Sequence, residues 1–375
     1  VDTSAALGAR VAAALASRGP VQSIVLGHRP HADDDTVLRL LAGADLAAEL
    51  VVSVGSGTLT DLGKMLAFRR GGLPHVAFGT APSMNGFASV SASITSGGLK
   101  RSIRVAAPTA VFLDTRVLAA APVRMIRAGL GDSLCRATAQ TDWLLAHLLL
   151  GRPYRTAPFA LLAADEPELF AGAAALVAGD RAVMRRLART LVLSGCGMTL
   201  CGGSYPASQG EHLVSHYFDV MHPRDDDAAP LHGEQVGVAT LAMARLQEEL
   251  LRAATPPRLR ESVTTFTGVT LHFGAALGLD CWREVAPKLM NADDAEERTA
   301  RLATIWDDLR ARVAALSLPA ARLTSVLAAA GAATQPSQLG WAAPAFTDAL
   351  AWARCLRDRY TFLDLAADAR EHPER

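Results

Sequence analysis

Val51-Val52-Ser53-Val54-Gly55-Ser56-Gly57-Thr58-Leu59-Thr60-Asp61 decides how the first third of the chain folds. The apolar Val51–Val54 run reads as a short buried strand that ends at Gly55. A helix is expected from Asp61 to Phe68. A strand that runs through Gly-Ser-Gly-Thr into a helix aims backbone N–H groups from the helix's positive end. The glycines also let a pyrophosphate come close to the backbone. The same turn serves a protein without a nucleotide, with glycine supplying an unusual φ and Thr or Asp capping the helix. Thr60 stands where a full GxGxxG pattern has its last glycine, so the motif alone does not choose between them.

Working outward, helical and strand periods alternate over the first 120 residues. Helices are expected over Ala5–Ala16 and Asp34–Leu41, and strands over Val21–Gly27, His75–Phe78 and Ala110–Asp114. Such alternation predicts an α/β fold with a doubly wound parallel sheet. The loop from Gly79 to Ser89 follows the His75–Phe78 strand, at the carboxyl edge where open sheets bind ligands. Its Thr80 and Ser83 are suited to hydrogen-bonding a nucleotide, and equally to an ordinary turn. After Pro122 the period becomes helical. Expected helices run over Met125–Leu149, Ala157–Val177, Arg181–Thr199, Gly233–Ala254, Val263–Phe273, Asp293–Leu316 and Ala343–Tyr360. The predicted organisation is a Rossmann-like α/β domain over 1–121 and an all-helical domain over 122–375.

Half of the 375 residues are hydrophobic and a fifth are charged, as in a folded globular protein. Lys+Arg and Asp+Glu balance at 37 each, which argues against a nucleic-acid binder with its basic footprint. No run of about 18 apolar residues suggests a membrane span. Cys135, Cys196, Cys201, Cys281 and Cys355 are scattered, without a CxxC pair, and read as buried thiols of a reducing cytoplasm.

The helical half carries Glu211-His212-Leu213-Val214-Ser215-His216 and then Leu231-His232-Gly233-Glu234-Gln235-Val236. Residues four apart share a helix face, so His212 and His216 lie together. His232 opens the next apolar run. Packing does not call for imidazole here, whereas a zinc, iron, nickel or copper centre does, although three histidines at such spacing also arise by accident.

Several motifs occur in one order. They are Gly55-Ser-Gly-Thr through Asp61, Thr80-Ala-Pro-Ser-Met-Asn-Gly-Phe-Ala-Ser89, Ala121-Pro-Val-Arg-Met-Ile-Arg-Ala-Gly-Leu-Gly-Asp132, Gly210-Glu-His-Leu-Val-Ser-His216, Leu231-His-Gly-Glu-Gln-Val236 and Arg359-Tyr-Thr-Phe-Leu-Asp-Leu365. Together they resemble the sn-glycerol-1-phosphate dehydrogenases, within the iron-containing alcohol dehydrogenase, glycerol dehydrogenase and dehydroquinate synthase superfamily. The resemblance covers nearly the whole chain. It implies an enzyme using NAD or NADP, with Gly55, Ser56, Gly57, Thr58, Asp61, Thr80 and Ser83 toward the cofactor. Asp2 matches an acidic residue that receives the adenosine ribose, which favours NAD.

The resemblance also carries the family's metal ligands onto Asp132, His212 and His232, with zinc expected and nickel or iron as alternatives. One carboxylate and two imidazoles leave coordination positions open for a substrate oxygen. His216 corresponds to a second histidine at the substrate or nicotinamide. Lys100, with Arg101, and Arg136, where relatives often have Lys, are candidates for the substrate phosphate. Asn85 replaces the Asp of the family's Ala-Pro-Ser-x-Asp-Gly motif. It cannot act as a base as that Asp can, and it sits among the expected catalytic and substrate residues.

The expected function is a metal-dependent NAD(P)H oxidoreductase that interconverts a hydroxyl and a ketone on a small polyol phosphate of the glycerol-1-phosphate/dihydroxyacetone phosphate type. A sugar-phosphate cyclase using NAD and metal transiently is the alternative, followed by a non-catalytic nucleotide-binding relative. The expected partner is a phosphorylated small molecule, with no nucleic acid and no membrane span. A cytoplasmic homo-oligomer, dimeric or larger, is expected from relatives.

Overall fold

The computed structural model describes residues 3–27, 29–224, 226 and 228–370. Asp2 lies outside them. Helices α1 (Thr3–Ala16) and α2 (Asp34–Gly43) precede β1 (Val51–Gly55), α3 (Gly57–Arg69), β2 (His75–Gly79), β3 (Ser91–Ser96), β4 (Leu99–Arg104) and β5 (Ala110–Phe112). Then come α4 (Thr115–Ala119), α5 (Val123–Ser133), α6 (Arg136–Leu150), α7 (Ala157–Ala160), α8 (Glu166–Ala171), α9 (Ala173–Val177) and α10 (Arg181–Cys201). The remainder is α11 (Gly210–Met221), α12 (His232–Leu251), α13 (Phe266–Val285), α14 (Ala292–Leu316), α15 (Ala320–Ala329), α16 (Ala343–Trp352) and α17 (Phe362–Asp368), with short 3-10 turns between. An N-terminal parallel sheet followed by helices is the fold class read from the sequence. No described helix is long and apolar enough to cross a membrane.

The chain packs as two compact units. One comprises Val1–Ser133, Ala157–Ser204 and Ala329–Ala332; the other comprises Leu134–Thr156, Tyr205–Ala328 and Ala333–Arg375. In the first, β1 pairs in parallel with β2, and β2 with β5, in the register Val51↔His75 and Val76↔Ala110. Val37, Leu40, Leu62, Met65, Ala92 and Ile94 form a core between α2, α3 and the β3–β4 hairpin. In the second, α6, α11, α12, α13 and α14 bury a single larger core containing Leu144, Leu213, Val238, Val269 and Trp306.

Several segments differ from the sequence expectation. Val21–Gly27 is not a strand: Val25 is 81% exposed, and Gln22 ties the segment down through its side chain, donating to Gly43 O and accepting from Asp45 N. A strand needs a neighbouring edge to satisfy its backbone, and this run has none among the described strands. Ser91–Arg104 is a hairpin turning on Gly97 and Gly98, whose φ values of 59° and 81° suit glycine. The Met125–Leu149 helix is interrupted at Leu134–Cys135. Ala157–Val177 is three short helices, with Pro167 in the first turn of one and Gly172 ending it. The helix from 263 starts later, at Phe266, and continues to Val285 through a kink at Gly274. Ala343–Tyr360 stops being α-helical at Trp352.

Two contacts fix the Thr80–Ser89 loop inside the first unit. Lys64 Nζ, buried beneath it, donates to Gly86 O (2.6 Å), Ser91 O (2.9 Å) and Ser89 Oγ (3.1 Å), and pairs with Asp61 (3.3 Å). Burial pushes the Lys64 pKa down, and Asp61 opposes the shift. On the other side α5 presses against the loop at Gly129, where an added Cβ would stand 1.5 Å from Pro82 O. Gly129→Ala therefore forces backbone apart and should cost about 3 kcal/mol. Thermal melts of the variant should fall by about 5–10 °C; an unchanged melting temperature would show that α5 does not approach the loop so closely.

Candidate active site

The turn between β1 and α3 is formed as its glycines suggest. Ser56 precedes the helix in an extended conformation, and its side chain makes no capping hydrogen bond. Thr60 takes Ser56 O through both its N–H and its hydroxyl (3.1 Å each). The first N–H groups of a helix have no partner within it, so an uncapped start favours an anion. A Cβ on Gly57 would stand 2.7 Å from Met84 Cγ, so the turn and the following loop are in close contact. Thr80 continues the β1–β2 pairing by donating its N–H to Gly55 O, and its hydroxyl meets that of Ser4 at 3.0 Å. Ser83 is partly exposed beside Met84. Asp61 faces inward, accepting Ser93 N–H and pairing with Lys64.

Asn85 is buried and turned toward Asp132. Its backbone N–H donates to Asp132 Oδ2 at 2.6 Å and its side-chain amide to Oδ1 at 3.3 Å. Asp132 itself is fully buried near the end of α5. An aspartate at 85 would set acceptor against acceptor at the second contact, whereas the amide supplies a donor. Asn85 thus holds the Asp132 carboxylate from two sides.

The three histidines gather in the second unit. Ring centroids of His212 and His232 are 5.1 Å apart, those of His216 and His232 5.8 Å, and those of His212 and His216 6.1 Å. His212 Nδ1 is 3.0 Å from Glu211 Oε1, and His232 Nδ1 is 3.4 Å from Ser215 Oγ. Ser215 in turn donates to Gln235 Oε1 at 2.6 Å. His216 Nδ1 has no hydrogen-bond partner, and Asp219 lies 3.6 Å from it. Burial pushes the His216 pKa down to about 4 against the pull of Asp219, so the ring is neutral at pH 7.

Lys100 and Arg101 sit on β4 opposite Thr95 and Ile94, beyond the glycine turn. Arg136 begins α6 and donates to Gln140 Oε1 (3.0 Å) and Leu316 O (3.2 Å) in the second unit.

Two buried acids, Glu211 next to His212 and Asp142 on α6, were not among the expected site residues. Glu211 accepts from Gln209 N (2.7 Å), Thr138 Oγ1 (2.9 Å) and His212 Nδ1. Burial works against its charge, but the His212 contact and the N–H donors hold its pKa below the usual range. Cys135, Glu211 and His212 bring possible ligand atoms within 4.8 Å of one another. Glu211 is already occupied by three donors there, which suits a carboxylate orienting His212 rather than binding an ion. Asp142 accepts from Gly210 N (2.9 Å), Phe362 N (3.0 Å) and Gln247 Nε2 (3.1 Å), tying the starts of α11 and α17 to α12. An Asp within the almost wholly buried helix α6 was the available signal.

Comparison with known proteins follows the same lines. Residues 1–122 match the family described as iron-containing alcohol dehydrogenase. A glycerol-1-phosphate dehydrogenase [NAD(P)+] of Halalkalibacterium halodurans is 32% identical over 272 residues, 71% of this chain and 66% of that protein. The enzyme of the same name from Pyrococcus furiosus is 37% identical over 202 residues, 54% of this chain and 57% of its own length. The chain thus spans 66% and 57% of these two relatives' lengths, less than two thirds of each. Among solved structures, a probable glycerol dehydrogenase from Sinorhizobium meliloti 1021 superposes with a TM-score of 0.61 at 18% identity, covering 96% of this chain and 86% of that one. A sulfoacetaldehyde reductase from Bifidobacterium kashiwanohense, in complex with NAD+, gives 0.55 at 14% identity, covering 96% and 84%. At these identities the structures share the fold. The resemblance read from the motifs is borne out by the sequence comparisons.

Asp142 gives the site a pH signature. Burial, then the neighbouring Glu211 charge, pushes its pKa up to about 8, against three N–H donors. A raised carboxyl pKa contributes stability that is complete below about pH 4 and is lost as pH rises through about 8. Asp142→Asn removes that titration. The melting temperature of the native protein should therefore fall relative to that of Asp142→Asn between pH 6 and pH 9. A relative rise over the same interval would contradict the shift.

Proposed function

We propose that this protein is a metal-dependent NAD(P)H oxidoreductase that interconverts a hydroxyl and a ketone on a small polyol phosphate, of the glycerol-1-phosphate/dihydroxyacetone phosphate type. The similarity to glycerol-1-phosphate dehydrogenases over 71% of the chain carries this reading.

We assign Asp132, His212 and His232 as ligands of one divalent ion. The donor set of one carboxylate and two imidazoles suits zinc, nickel or iron. The second unit supports the histidine assignments, because Glu211 at His212 Nδ1 and Ser215 at His232 Nδ1 leave Nε2 of each ring as the ligand atom. Hydrogen bonding of the other ring nitrogen is the usual support of a metal-bound histidine. In the first unit, the two Asn85 donors orient Asp132. The uncapped start of α3 is the seat for the cofactor pyrophosphate, with Gly55 to Thr58 as its backbone cradle.

When bound, the ion would supply polarisation of the substrate oxygen and the nicotinamide would supply hydride-acceptor or hydride-donor chemistry. The chain supplies orientation and proton handling. His216, neutral at pH 7, can accept or return a hydroxyl proton. Asn85 acts through Asp132 as a positioning residue.

The test follows NADH and NADPH absorbance in metal-reconstituted protein supplied with dihydroxyacetone phosphate, with metal content measured for each variant. His212→Ala and His232→Ala should lose the ion and all turnover. His216→Ala should keep the ion and lose about 10²–10⁴ in rate, as expected for a missing acid/base group. Equal metal loss in the His216 and His212 variants would overturn the ligand assignment, and no oxidation of either nucleotide would overturn the substrate assignment.

A further inference from the structure

The loop between the 3-10 turn Ala353–Leu356 and α17 displays two arginines from a braced backbone. Lys288 Nζ, buried, donates to Arg354 O (2.6 Å) and Arg359 O (3.0 Å) and pairs with Asp364 at 2.9 Å. Glu284 accepts Asp358 N–H at 2.9 Å, and Asp364 accepts Thr361 N–H at 2.8 Å. The loop is therefore tied at four backbone positions. Arg357 is extended, with φ −153° and ψ 158°, so neighbouring side chains alternate in direction. Asp358 is exposed, while Arg357 and Arg359 are both partly buried.

Arg359 lies over the Tyr205 ring, its Cζ 4.8 Å from the centroid, and donates to Ser208 O just before α11. Arg357 makes no hydrogen bond or ion pair among the described residues. The nearest opposing charges acting on it are those of Glu284 and Asp358. Burial lowers the pKa of Arg357, and burial followed by the Arg357 charge lowers that of Arg359 to about 9. The Arg357 charge also reaches His216, and the Glu211 charge reaches Arg359. Arg359 is held at the start of α11, the helix that carries His212 and His216, and Arg357, two residues earlier in the chain, is unpaired, although like charges repel and burial penalises both. An anion would relieve that cost, and the planar donor fork of Arg suits phosphate.

We propose that Arg357 and Arg359 form a phosphate-binding subsite in the second unit, near the start of α11, for the phosphoryl group of the substrate. This inference rests on the polyol-phosphate reading above for the identity of the ligand, but not for the existence of the anion site. It also gives phosphate recognition to residues other than Lys100, Arg101 and Arg136.

The experiment compares native protein with Arg357→Ala and Arg357→Lys, since Arg359 also supports the backbone before α11. Inorganic phosphate binding is measured by titration calorimetry, and KM and kcat are measured for dihydroxyacetone phosphate and for unphosphorylated dihydroxyacetone. Melting temperature, bound metal and NADH affinity monitor integrity. Arg357→Ala should weaken phosphate binding and raise KM for dihydroxyacetone phosphate by about ten-fold or more. KM for dihydroxyacetone, which has no phosphoryl group, should change much less than KM for dihydroxyacetone phosphate, and Lys should restore part of the loss. Phosphate binding that depends on Arg357 in a protein that does not turn over dihydroxyacetone phosphate supports the subsite and sinks only the substrate reading. Phosphate affinity unchanged by Arg357→Ala overturns the subsite, whatever the enzyme turns over.

Discussion

The grip of Asn85 on Asp132 is the contact on which the site in the first unit depends. It exists because α5 comes to the Thr80–Ser89 loop without an intervening side chain at Gly129. Lys64 holds the far side of the same loop through three donated hydrogen bonds and one ion pair. Gly195 on α10 closes the arrangement, since a Cβ there would stand 2.9 Å from Ala88 N and 3.1 Å from Asn85 O. A buried carboxylate is costly unless hydrogen-bonded, so the donors of Asn85 fix both its orientation and its tolerance of burial. Asparagine at this position supplies a donor that aspartate would supply only when protonated. Its presence is explained by the neighbouring carboxylate without appeal to a different reaction.

The second unit solves the matching problem for imidazole. Glu211 cannot leave its three donors without exposing a buried charge, and one of those donors is His212. Asp142 secures the first N–H of α11, so the helix carrying His212 and His216 is held at its start as well as along its apolar face. Ser215 and Gln235 complete a chain from α11 to the first turn of α12, where His232 sits. The result is that the His212 and His232 rings are each hydrogen-bonded at Nδ1 from within the second unit. That is the form of support a metal site needs for its geometry.

Much of this was legible in the sequence where one period dominates. The Val51–Gly55 strand, the glycine turn and the His75–Gly79 strand are where apolar runs and glycines put them, and the four-residue spacing of His212 and His216 gives one helix face. Val21–Gly27 misled because its β-branched residues satisfy a propensity without a partner edge. The Leu134–Cys135 break was hidden because residues on both sides are buried all round, which leaves no polar face to mark a change of direction. The role of Asn85 could not be read at all. Its partner is 47 residues away, and only the approach at Gly129 brings the two together. Arg359 opened a motif noted for its likeness to relatives and Arg357 stood just before it, but the bracing by Lys288 and Glu284 comes from distant parts of the chain.

The central claim is that one carboxylate and two imidazoles hold a divalent ion. X-ray absorption at the zinc edge of zinc-reconstituted protein tests it most directly, because the method counts light ligands, recognises imidazole by its outer-shell scattering and separates sulfur by its longer bond. Native protein should show two imidazoles and oxygen donors at the zinc, His216→Ala should show the same set, and His232→Ala should retain no zinc. A sulfur ligand, which would point to Cys135, or the loss of an imidazole in His216→Ala would contradict it.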